Sequence, residues 1–360
     1  MAKKVLVLLG TNKGAFILES DASRETWTMR GPFCDGWVIH HVVHDAKTGR
    51  LHAGGGNPWT GIGVWQSDDF GESWKQSGDG FAYEGDDPAI KSVWSLAAAD
   101  GKLYVGVEPA GLFVSKDGGD SFSHVKGLRD HPTQPEWQAG GGGMILHSIV
   151  PDPNDPDQLW AGISVAGVYR TGDGGKTWEP RNRGTRADYN PEDQRYPEHG
   201  QCVHAVARAP GTGERLYQQN HCGMYRSDDG GRAWTSIENG LPSSFGFPVV
   251  VHPRDPDTVY LIPLNGDSAG RYVPDARAAV WRSRDAGKSW QDLRNGLPQQ
   301  DAYLCILRQA FAADTLDKAG LYFGTNSGSL FASADEGESW RQIAQHLPII
   351  FSVETAVVDA

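Results

Sequence analysis

One octet decides the fold: SDDFGESW from Ser67, SKDGGDSF from Ser115, TGDGGKTW from Thr171, SDDGGRAW from Ser227, SRDAGKSW from Ser283 and SADEGESW from Ser333. Its form is [ST]-x-D-x-G-x-x-[WF]. A worn copy runs from Ser20 to Trp27, with Ala22 and Arg24 where the aspartate and glycine would stand. Successive starts lie 47, 48, 56, 56, 56 and 50 residues apart, and wrapping from the last to the first through the chain ends gives 47. A repeat of this length in a chain of 360 residues counts to seven. Each octet follows an apolar stretch that holds two short strands around a glycine-bearing turn, with another strand upstream. No stretch sustains a helical period, so helices should be few. Four antiparallel strands per repeat, seven times over, describe an all-β, seven-bladed β-propeller. One domain over 1–360 is expected, closed by a C-terminal strand over 349–358 that pairs with the N-terminal strands and removes the exposed edge.

Composition agrees and narrows the function. The 46 glycines, 21 prolines and 13 tryptophans supply many turns and large flat side chains, which excludes disorder. A formal net charge of −12 repels a phosphate-tracking partner, so nucleic acid is excluded. No apolar run approaches the roughly 20 residues of a membrane helix, so no membrane is expected. Met1-Ala2-Lys3-Lys4 and the five apolar residues after it are too short for a signal-peptide core. Four scattered cysteines form no disulfide framework. The expected location is cytoplasmic.

The octet resembles the Asp-box, or BNR repeat, of sialidase-like propellers, and the resemblance spans nearly the whole chain. In that family the boxes lie on the face away from the substrate, and six copies of a turn device cannot all serve one site. Asp69, Asp117, Asp173, Asp229, Asp285 and Asp335 are therefore read as structural. Sialidases hold a substrate carboxylate with three arginines and carry an Arg-Ile-Pro signature, whereas this chain offers only Arg30-Gly-Pro32. The resemblance carries the fold and stops short of that reaction. Two-ring xyloglucan hydrolases and single-ring photosystem II assembly factors share the boxes. Stretches such as GQCVH to His204 and QNHCG from Gln219 resemble bacterial BNR-repeat proteins labelled sialidase-like or glycosyl hydrolase.

Aligning repeats on the octets places His40, Trp94, His147, His204, Phe247 and Phe351 at one register position of the innermost strands, around the channel mouth. Loops on the same face add Glu108, Asn220, His221 and the turn at Asn57. The long connections between blades bring Arg129, Trp137, the glycines 140–143 and Gln201. Polar groups crowd blades two to five, while blades six and seven look plain. Three readings of the histidines stand: ligands for a divalent transition metal such as zinc or manganese, general acids and bases, or hydrogen-bond partners of buried backbone and water. The candidate catalytic set is His147, His204, His221 and Glu108, with His40, Trp94, Arg129, Trp137, Gln201, Asn220 and Phe247 binding substrate. His147, His204 and His221 are the candidate metal ligands, expected to lie close enough to share one ligand or ion. Two function classes follow: an enzyme, hydrolase or lyase, on a small carbohydrate-like or otherwise polar molecule, and a non-catalytic propeller that holds a peptide or protein.

Overall fold

The computed structural model describes residues 2–84, 88–211 and 213–359, so both ends of the 1–360 span, Met1 and Ala360, lie outside the described residues. Seven four-stranded antiparallel sheets follow one another along the chain. Blades two to seven each begin with the innermost strand: Ile39–His44, Ser92–Ala99, Leu146–Pro151, Val203–Arg208, Gly246–Val251 and Phe311–Ala313. Blade one takes its innermost strand from the other end of the chain. Ile350–Asp359 pairs antiparallel with Lys3–Thr11, from Lys3 opposite Asp359 to Thr11 opposite Ile350. Helix is confined to short turns, of which Lys126–Arg129 is the one α-helical piece among the described residues. No helix is long and apolar enough to cross a membrane.

The octets make the turn from third to fourth strand, and their hydrogen bonds explain their composition. In blade two, Asp69 accepts from the Ser67 hydroxyl at 2.7 Å, the Ser73 amide at 2.9 Å and the Ser73 hydroxyl at 2.6 Å. The Ser67 oxygen in turn accepts from the Gly71 amide at 2.8 Å. Gly71 sits at φ +93°, a conformation open to glycine and strained for other residues. Blades three to seven repeat the aspartate–hydroxyl contact at Asp117, Asp173, Asp229, Asp285 and Asp335. Two of the terminal tryptophans join blades, Trp234 donating to the Arg181 carbonyl and Trp290 to that of Ile237, each across the blade boundary at 2.8 Å, whereas Trp74 and Trp178 donate within their own octets to the Gly71 and Gly175 carbonyls. We expect Asp229→Ala to cost about 1–3 kcal/mol in chemical denaturation through these lost turn bonds, with ligand binding on the other face unchanged. A still-folded variant that lost binding would place the octets at the site.

Candidate functional site

Strand pairing slips by one residue near the start of the innermost strands. The ladder skips His40 in blade two, Trp94 in blade three, His147 in blade four, His204 in blade five and Phe351 in blade one; Phe247 and Pro248 stand opposite a single partner in blade six. These are β-bulges, which re-aim a side chain without ending the strand. They are the residues that the octet alignment placed in register.

The histidines join consecutive blades. His40 Nδ1 lies 2.8 Å from the Val93 carbonyl, His147 Nε2 2.8 Å from that of Val203, and His204 Nδ1 2.6 Å from that of Gly246. Each accepting carbonyl belongs to the residue just before the next blade's bulge. In blade three, where Trp94 occupies the bulge, the Ser95 hydroxyl makes the equivalent bond to Leu146 at 2.7 Å. Burial pushes the imidazolium form out, lowering His40 to about 4, His147 to about 3 and His204 well below its usual value. All three are neutral at pH 7.

Their free nitrogens decide what they can do. His147 has none, since Nδ1 is 3.0 Å from the Ser148 hydroxyl and Nε2 is on Val203. It lines a different chamber from His221. The group that converges is Cys202, His204 and His221, whose donor atoms all lie within 4.8 Å of one another. His204 Nε2 is 3.7 Å from Cys202 Sγ, and the His204 and His221 ring centres are 5.4 Å apart. His147 thus gives way to Cys202 in the expected trio.

The other candidates separate into pocket walls and scaffolding. Phe247 lines the same pocket as His221. His40 stacks on Trp94 at 4.1 Å, and the Trp94 indole donates to Glu108 at 3.3 Å, which also faces Lys91 at 3.5 Å. Glu108 reaches the pocket rim, where a Cβ added to Gly143 would meet its Oε1 at 2.9 Å. Arg129 donates to the Ala110 carbonyl and lies 4.3 Å over the Tyr83 ring. Trp137 is buried in the apolar core of blades three and four, its indole on the Tyr169 hydroxyl at 3.0 Å. Gln201 and Asn220 are fully buried: Gln201 holds the long loop through the Thr185 and Pro197 carbonyls, and Asn220 caps the turn by accepting from the Cys222 amide.

The sequence reading missed three charged residues. Asp267 and Arg271 come from an insertion between the second and third strands of blade six, paired to each other at 2.6 Å, with Asp267 3.7 Å from His221 Nε2. Arg308, just before the innermost strand of blade seven, lies 5.0 Å over the Phe247 ring. Its Nε is enclosed without a hydrogen-bond acceptor, and no carboxylate among the described residues pairs with it. Burial lowers its pKa from the usual arginine value. Blades six and seven are therefore far from plain.

Arg308 separates two chambers of the channel. One, of about 350 Å³, runs past His41, His147 and Glu354. The other, of about 330 Å³, opens on the face opposite the octets. It is walled by Tyr189, Phe245 and Phe247, rimmed by the glycines 140–143, and carries Cys202, His204, His221 and Arg308. Beside Arg308, the Gln309 amide spans the ring from blade seven to the His147 carbonyl of blade four at 2.9 Å. The second chamber combines an aromatic wall, bare glycine backbone and a cation that no carboxylate among the described residues pairs with, which suits a small polar ligand with a negative group.

No protein-family model matches the chain. It is 25 % identical over 224 residues to an oligoxyloglucan-reducing end-specific xyloglucanase of Emericella nidulans, covering 53 % of this chain and 25 % of that protein. It is 23 % identical over 213 residues to a xyloglucanase of a Paenibacillus species, covering 53 % of this chain and 19 % of that protein. The chain thus spans a quarter or less of the length of these relatives. Among solved structures it resembles a Niastella koreensis GH74 enzyme, with a TM-score of 0.63, 16 % identity and coverage of 94 % of this chain and 52 % of the other. It also resembles YCF48 bound to D1 peptide, with a TM-score of 0.56, 16 % identity and coverage of 84 % and 81 %. The chain is a seven-bladed propeller with xyloglucanase relatives.

Proposed function

We propose that this protein is a carbohydrate-active propeller enzyme, and that its ligand is a small glycan fragment bearing an acidic group, seated in the chamber opposite the octets. The observation that carries the reading is Arg308: a guanidinium without a carboxylate partner among the described residues, beneath an aromatic-walled pocket. A half-enclosed cation with no described carboxylate beside it leaves its charge for a ligand to pair, and we take the ligand to supply that counter-ion. Tyr189, Phe245 and Phe247 offer apolar faces for a sugar ring, and the glycine rim lets a ligand approach backbone closely. The sugar's reacting end then faces Cys202, His204 and His221, whose chemistry suits bond cleavage as a hydrolase or lyase. Kinship with xyloglucanases supports glycans as the substrate class, and the Asp-box resemblance to sialidase-like propellers supports a shared ancestry of fold.

The test is calorimetric titration with uronate-ended and neutral oligosaccharides. Acidic fragments should bind, and Arg308→Met should weaken them about 10- to 100-fold, the worth of one charge-assisted bond, while neutral fragments change little. Equal affinities in the two proteins would remove Arg308 from the site. A second reading, a propeller that docks a protein, is favoured by Trp59, which is 96 % exposed at the tip of a loop held by the Asn57 side chain. Specific capture of a partner lost on Trp59→Ala, without glycan binding, would select it.

A further inference from the structure

We propose that Cys202, His204 and His221 form a zinc site in the wall of this chamber. Spacing comes first. Zinc bonds sulfur at about 2.3 Å and imidazole nitrogen at about 2.0–2.1 Å, so tetrahedral geometry sets the two donors roughly 3.5 Å apart. Cys202 Sγ and His204 Nε2 stand 3.7 Å apart, and the third donor is within 4.8 Å of both.

Orientation comes second. Ligating histidines almost always give their other ring N–H to a carbonyl or carboxylate. His204 Nδ1 faces the Gly246 carbonyl at 2.6 Å, which puts its proton there and leaves the Nε2 lone pair toward the thiol. His221 has the Asp267 carboxylate 3.7 Å from its Nε2, and Arg271 fixes that carboxylate at 2.6 Å. The His204 ring is thus aimed by a neighbour outside the trio, and the Asp267 carboxylate stands within ion-pair range of the His221 ring. The backbone places the third donor as well, since the His221 amide donates to the Cys202 carbonyl at 2.8 Å.

Donor chemistry selects the ion. One thiolate and two imidazoles suit zinc, and the thiolate disfavours the manganese that three histidines would have allowed. On binding, the Cys202 thiol releases its proton to solvent and the sulfur lone pair bonds the ion. A divalent ion on one thiolate leaves a single positive charge near Arg308. The fourth coordination position, open to the chamber, therefore attracts an anion or a water molecule. The site stands apart from the glycan reading because metal binding is measured without any sugar.

The experiment is metal titration of chelator-treated full-length protein. One equivalent of zinc should survive dialysis and raise the melting temperature. Cobalt in its place should give a thiolate-to-metal charge-transfer band in the near ultraviolet and visible bands of a four-coordinate ion. Cys202→Ser should abolish the charge-transfer band, Cys222→Ser should keep it, and Asp267→Asn should weaken affinity about 10- to 100-fold. His221→Asn, at the more exposed ligand, checks the site should Cys202→Ser fail to fold. Failure of the wild-type protein to retain zinc, or a charge-transfer band that persists in folded Cys202→Ser, overturns the site. Zinc binding without glycan binding would leave the site standing and remove the carbohydrate reading alone.

Discussion

Arg24→Ala should destabilise the protein by about 3–5 kcal/mol, the usual loss when one partner of a buried ion pair is removed. Arg24 occupies the glycine position of the worn first octet, at φ +59°. Where the other blades close this turn with an aspartate, blade one sends a guanidinium across the ring seam into blade seven. Its Nη1 lies 3.0 Å from Asp314, whose side chain is fully buried, and 3.1 Å from the Lys318 carbonyl; Nη2 reaches Ala334 at 3.2 Å. Asp314 also accepts from the Tyr322 hydroxyl and the Gly320 amide, at 2.8 and 2.9 Å, and these neutral donors cannot balance its charge. The double variant Arg24→Met with Asp314→Leu should recover much of the loss, because no lone charge stays buried. Urea denaturation of the single and double variants checks this. A single-variant loss below about 1 kcal/mol would mean that the pair is solvated.

Deleting residues 350–359 should have a larger effect: no cooperative thermal transition and association into oligomers. The deleted strand buries Ile350, Ser352, Val353 and Ala356, and the Ser352 hydroxyl accepts from the Gly10 amide at 3.2 Å. Lys3–Thr11, buried from Val5 onward, would be left with one open edge along its whole length. The expected loss rivals the entire stability of a typical domain, about 5–15 kcal/mol. An open apolar edge recruits other chains. Gel filtration and near-ultraviolet circular dichroism read the outcome. A monomer that melts cooperatively within a few degrees of the intact protein would show that closure is dispensable.

The fold was legible because its repeat is a local chemical device. An octet needs its aspartate, hydroxyl and glycine whatever surrounds it, so six good copies count the blades, and even the worn copy at Ser20 marks one. Register was legible too, and His40, Trp94, His147, His204, Phe247 and Phe351 do share a position. Where the ring nitrogens point was not, because it depends on carbonyls of the next blade. Arg308 escaped because the innermost strand of blade seven is only Phe311–Ala313 and gave nothing to align. Asp267 and Arg271 escaped because their insertion has no counterpart in other repeats. Trp137, Gln201 and Asn220 misled in the opposite direction. Polar and aromatic side chains near the channel mouth look like binding groups, yet Trp137 and Gln201 hold long loops against the blades and Asn220, at a strand end, caps a turn.

The bulges have a consequence for how such a molecule changes over generations. A residue outside the ladder can be exchanged while its flanking neighbours keep their partners, so the six bulges, with Gln309 ahead of the short strand of blade seven, form a small programmable alphabet around one axis. Blade three shows the alternative arrangement: Ser95 makes the seam bond, and position 94 holds an indole. A library varied at 40, 94, 147, 204, 247, 309 and 351, with a serine offered at each following position where the histidine is lost, would sample new chemistries on an unchanged frame.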